Sequence, residues 1–132
     1  MLKEAYSLIM EVLNDEQLNE YIQKNTGKKL TIINAGAQVT TPSAIVTLSN
    51  GEYTRASNTK QDTGFLISFN LPFWGTDAFD KCLDFLDFAI PIFFDYRTKQ
   101  NFIKSISPSV VEQDSERKFW IININVIVEV FI

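Results

Sequence analysis

The most regular stretch of the chain is its last, FWIININVIVEVFI (119–132). Trp120, Ile122, Ile124, Val126, Val128, Val130 and Ile132 fall on one side of it, and Phe119, Ile121, Asn123, Asn125, Ile127, Glu129 and Phe131 on the other. A period of two predicts a long strand, buried on one face and mixed on the other. Residues 64–71 alternate in the same way, with Phe65, Ile67, Phe69 and Leu71 set against Leu66, Ser68 and Asn70, and Pro72 closing the run. Shorter β-prone runs occupy 30–34, 44–48 and 102–106. Asn50-Gly51 signals a turn after the second of these. Between the strands, 35–44 reads as a small, polar loop, 54–63 (TRASNTKQDT) as an exposed, mobile hairpin arm, and QDSERK as a charged turn beyond Pro108.

Helical spacing appears twice. In residues 2–13, Leu2, Ala5, Tyr6, Ile9, Val12 and Leu13 share a side opposed to Lys3, Glu4, Ser7 and Glu11. Asn14-Asp15 marks a break or a fresh N-cap. Leu18, Tyr21 and Ile22 continue a second stripe, and Gly27 supplies a stop, so the spacing predicts one interrupted helix or two short ones. The second helical segment starts at an N-cap, Thr76 or Asp77. Its predicted core stripe is Phe79, Cys82, Leu83, Leu86 and Ile90, and Pro91 kinks or ends it. The elements predict a single α+β domain over 1–132. It has a mainly antiparallel or mixed sheet of about four to five strands, with an N-terminal helix and a central helix packed on one face.

Composition narrows what such a domain can do. At 132 residues and 45% hydrophobic content the chain can bury a real core, and 21% charge is ordinary for a globular protein. A net charge of −4 with scattered basic residues disfavours specific nucleic-acid binding, which draws affinity from phosphate neutralisation. Lys3, Glu4 and Glu11 interrupt any secretory core in the first residues, and the apolar runs are too short or too polar for a membrane span. Cys82 stands alone, so no internal disulfide or cysteine-based zinc site forms, and it lies on the apolar side of its helix. The expected compartment is the cytoplasm.

Candidate chemistry rests on TDAFDKCLDFLD. Asp77, Asp80, Asp84 and Asp87 recur three and four apart, which sets all four within roughly 80° of one helix face. A divalent cation needs oxygen ligands that converge, and carboxylates on one helix splay outward unless a second element closes the site. Asp77 and Asp80 also complement the helix dipole in the first turn. The expected reading is a solvated face with no metal. The chain has no histidine, which excludes Ser-His-Asp and Cys-His catalysis, and no glycine-rich phosphate loop. No enzyme activity and no cofactor are expected.

What remains is surplus aromatic surface. Phe supplies 11 residues, and Phe73, Trp74, Phe88, Phe93, Phe94, Phe119 and Phe131 exceed what a thin two-layer domain hides with ease. Either they fill an aromatic core or some belong to a subunit interface, where aromatics are enriched. Phe88 falls on the acidic side of its helix and hints at a contact surface.

In element order the chain resembles the tail terminator (tail completion) proteins of long-tailed bacteriophages and phage-like particles. The resemblance lies in an opening helix, LKEAYSLIMEVLN; a strand and hairpin arm, SAIVTLSNGEYTRASNTKQDTGFLISFNLPF; a central helix, TDAFDKCLDFLDFAIP; and closing strands in NFIKSISPSVVE and KFWIININVIVEVFI. Pro91 and the polar 35–43 have no counterpart in that pattern. The resemblance implies a homo-oligomeric, hexameric ring that caps the head-proximal end of the tail tube and docks onto the neck. Its place would be the cytoplasm during assembly and then the virion tail. It also points to Tyr53, Arg55, Lys60 and Asp62 of the arm as contacts with a ring neighbour or the tube. The alternatives are another head–tail joining component, or a small ligand-binding or metal-dependent enzyme domain that uses the aspartates.

Overall fold

A computed structural model describes residues 2–34, 36–51, 60–109 and 112–131. The chain is α+β, with three helices and a six-stranded mixed sheet among the described residues. Helices α1 (Leu2–Leu13) and α2 (Glu16–Thr26) lead into strands β1 (Thr31–Ile33), β2 (Ser43–Gly51) and β3 (Lys60–Leu71). Helix α3 (Ala78–Asp95) follows, then β4 (Asn101–Pro108), β5 (Glu112–Asp114) and β6 (Phe119–Phe131). The strands lie in the order β1-β2-β3-β6-β4, with β5 beside the first residues of β6. All pairings are antiparallel except β1 with β2.

The opening helical stripe resolves into two helices. Asp15 Oδ1 accepts the Leu18 N–H at 2.9 Å and caps α2. Gly27 ends it at φ 82°, a left-handed geometry that an L side chain rarely adopts.

Strand pairing fixes one apolar face. Phe65, Ile67, Phe69 and Leu71 stand opposite Val126, Ile124, Ile122 and Trp120. Ile103 stands opposite Val128 on the other side of β6. These side chains, with Trp120 partly buried at the margin, join Leu8, Ile9, Val12, Leu18, Ile22, Phe85 and Phe93 of the helices in one cluster, so the helix layer covers this face. The opposite face is laced by polar cross-strand pairs. Ser68 Oγ donates to Asn123 Oδ1 at 2.7 Å, Asn70 Nδ2 donates to Ser43 Oγ at 3.1 Å, and Lys104 Nζ meets Asp62 Oδ2 at 2.9 Å.

Three local expectations change and a fourth is settled. Asn50-Gly51 is no turn: β2 runs through both and pairs Gly51 with Thr63, after a register shift between Leu48 and Asn50. The strand after the arm begins at Lys60 rather than at residue 64, because polar residues 60–63 still find partners on β6. β5 adds a strand that the polar composition of its three residues conceals. Of the two alternatives for Pro91, a kink or an end, the end is ruled out: helix α3 continues to Asp95. No helix among the described residues is long and apolar enough to cross a membrane.

Candidate functional site

The buried stripe of α3 is Ala78, Cys82, Phe85, Leu86, Ala89, Ile92 and Phe93. Two members of the expected stripe, Phe79 and Leu83, are instead 50% and 42% exposed. At about 100° per residue the true core line is centred near Ala89, and Phe79, Leu83, Ile90 and Phe94 sit together on one flank. Burial of the Cys82 thiol pushes its pKa up to about 11, which leaves it a protonated, inert hydrophobe.

That flank is the first candidate surface. Phe79 touches Trp120 with ring centroids 6.1 Å apart. Phe94, 47% exposed, shares a groove with Arg97, Thr98, Phe102 and Ile103 beside β4. Trp74 is also exposed and precedes the helix. Asp80 and Asp87 rim the flank on its solvent side, and Asp84 lies just behind them. Asp77 caps α3 without a side-chain hydrogen bond and pairs loosely with Lys81 at 3.5 Å. Among the described residues no group of three or more acidic, cysteine or histidine side chains comes together in a way that could hold a metal ion.

A second surface lies over β2 and β3, where the first turns of α1 cross them. Leu2, Tyr6, Val46, Leu48 and Phe65 line a groove of about 280 Å³. Leu48 is 55% exposed and Tyr6 42%, and the Tyr6 and Phe65 rings lie 6.1 Å apart. Lys3 is the charged residue among those that line it. Nothing in the sequence marked this surface, because Leu2 and Tyr6 share the apolar side of α1 with residues that are fully buried.

The other aromatic candidates divide. Phe73 and Phe119 are buried within the chain, as is Phe93, so they offer no surface. Phe88 stacks one face of its ring on Tyr21 of α2 at 4.4 Å and 15°, and stays 37% exposed. Phe131 is exposed on the polar face of the sheet, 5.7 Å from the Phe102 ring. Of the arm residues, Tyr53 and Arg55 lie outside the described residues. Lys60 opens β3 opposite Phe131, and Asp62 is held by Lys104. No protein-family model matches the chain, and no curated protein matches it.

Proposed function

We propose that this chain is a structural subunit of a phage or phage-like tail. Copies would join into a closed ring, six-membered as the resemblance implies, that caps the head-proximal end of the tail tube and joins it to the neck. The observation that carries this reading is the presence of two dissimilar apolar surfaces on one chain. The α3 flank borders β4 and the α1 groove lies over β2, with β3 and β6 between them in the sheet. A two-fold dimer uses one self-complementary patch; two different patches fit head-to-tail contacts that close into a ring. Contiguous apolar surface of this kind marks association sites on soluble proteins. The work of such a ring is steric and interfacial, with no bond made or broken, first in the cytoplasm and then in the assembled tail.

Native mass spectrometry over about a hundredfold range of concentration, with and without Mg²⁺, tests this reading. The expected result is a hexamer, or a monomer–hexamer equilibrium, that is indifferent to the metal. A strict monomer that takes up one Mg²⁺ would overturn it and return attention to the aspartates.

A further inference from the structure

We propose that the groove between α1 and the start of β4 binds a small primary amine as its ammonium ion, with Glu11, Ser7 and the side-chain carbonyl of Asn101 as acceptors. The groove holds about 240 Å³. It lies between the two apolar grooves and shares Lys3 with one and Thr98 with the other. The inference does not rest on the ring reading.

Asn101 carries the argument. It stands opposite Val130 across the edge of the sheet, on the face that the helices cover. It is 6% exposed, yet its Oδ1 has no hydrogen-bond partner, a state that buried polar atoms rarely keep. The turn before it fixes the residue in place. The Thr98 N–H donates to the Asn101 carbonyl at 2.8 Å, and the Asn101 N–H donates to Thr98 Oγ1 at 3.0 Å. Local bonds thus satisfy the backbone, while the side-chain carbonyl is left over. Among the described residues no bond holds its Nδ2 either, so the amide can turn its carbonyl to a donor in the groove.

The opposite wall is one side of α1, where Glu4, Ser7, Leu8 and Glu11 stand three and four apart. Leu8 is buried and floors the groove. Glu11 is exposed, and its charge reaches Tyr96, which sets it at the end where the turn of Thr98 and Asn101 begins. Lys3 stands eight residues earlier, about 12 Å away along the helix axis, with Glu4 beside it. The lining is therefore divided, with its cation at one end and the Glu11 carboxylate near Asn101 at the other. An ammonium suits the second end: it brings three donors and no acceptor, and its bond to a carboxylate is of the strong, charge-assisted kind. A divalent metal fits less well, because it takes six or more oxygens and no cluster of three acidic, cysteine or histidine side chains among the described residues could hold one. The volume is below the roughly 300–1,000 Å³ of pockets for larger ligands, so the guest is short.

Titration with butylammonium chloride at constant ionic strength, followed by heteronuclear NMR, tests the site. The side-chain amide of Asn101 and the backbone amide of Glu11 are expected to move and saturate together, with a Kd of about 1 mM. Butyltrimethylammonium has the same charge and no N–H, and should bind at least about tenfold more weakly. Glu11→Gln, at an exposed position, should weaken butylammonium by about tenfold. Asn101→Leu should abolish the saturating shift at Glu11. Circular dichroism verifies that each variant is folded, and Glu11→Gln decides alone if Asn101→Leu is not. The proposal is overturned if no signal saturates by about fifty times the expected Kd, or if the quaternary amine binds equally well. It is overturned too if Glu11→Gln changes nothing, or if Mg²⁺ saturates these signals and butylammonium does not.

Discussion

Tyr96 Oη donates a 2.6 Å hydrogen bond to Oδ2 of Asp15, while Oδ1 of the same carboxylate accepts the Leu18 N–H at 2.9 Å. One side chain thus caps α2 and ties down the residue that closes α3, 81 positions away in the chain. The two helices lie side by side from that point, and the stack of Tyr21 on Phe88 continues the seam.

Removal of Asp15 therefore has two effects. Asp15→Ala should cost about 1–2 kcal/mol for the cap and roughly a further 1 kcal/mol for the tyrosine bond. Tyr96→Phe should lose the second alone. Urea unfolding of both variants measures the difference; equal losses would mean that the cap contributes nothing.

The same bond predicts a change at alkaline pH. The Asp15 hydrogen bond, then burial and the nearby negative charge, push the Tyr96 hydroxyl up to about 12, above the ordinary tyrosine value of about 10. Ionisation removes the donated proton and sets two anions face to face. The Tyr96 contribution is then complete below pH ~10 and is lost as pH rises toward ~12. Stability of the parent should fall faster than that of Tyr96→Phe over that window, read from urea midpoints; parallel curves would rule the coupling out.

Core aromatics should separate from seam aromatics. Phe85 is fully buried and meets Phe69 edge-on with centroids 5.0 Å apart. Phe85→Ala should cost about 3–5 kcal/mol by lost burial and a cavity. Phe88→Ala, at a half-exposed ring whose main partner is Tyr21, should cost about 1 kcal/mol. Chemical denaturation with unchanged slopes checks the order, and a Phe88 loss equal to that of Phe85 would reverse the placement.

The strands were legible in the sequence because alternation survives on both long ones: period two sets Phe65, Ile67 and Phe69 on one face of their strand and Ile122, Ile124 and Val126 on one face of theirs, whereas the pairing of the two strands is a tertiary result. Asp15 and Gly27 were legible because caps act locally. The face of α3 was not. Phe79 and Leu83 are as apolar as Phe85 and Phe93, so the segment is hydrophobic over more than half its circumference, and only contact with the sheet and α2 decides which part turns inward. Asn50-Gly51 misled for a related reason, since pairing with Thr63 on β3 overrides a local turn preference. The candidate surfaces were half legible. The aromatic surplus pointed to an interface, yet Phe73 and Phe119 proved to be buried, and the α1 groove is assembled by tertiary structure from Leu2, Tyr6 and Leu48.

The aspartates should be dispensable to the fold. Asp84 stands three and four residues from Asp87 and Asp80, all exposed on one helix, so each repels the next. Asp84→Asn with Asp87→Asn should leave the melting temperature unchanged or slightly raised. Millimolar Mg²⁺ or Mn²⁺ should shift neither parent nor variant. A rise with metal in the parent that vanishes in the variant would establish a cation site.

Pro91 offers the sharpest test of how α3 holds its outward flank. It lies inside the helix on the exposed side. It has no N–H to donate to the Asp87 carbonyl one turn back, and its ring crowds that carbonyl. The helix nevertheless continues, and places Phe93 in the core and Phe94 in the open immediately afterwards. If packing of Ile92 and Phe93 holds this last turn, Pro91→Ala restores a hydrogen bond and removes a clash while no buried contact is lost. Stability should then rise by about 1–3 kcal/mol, less the entropy that proline removes from the unfolded chain. If the melting temperature falls instead, the proline itself aims the last turn, and the exposure of Phe94 depends on it.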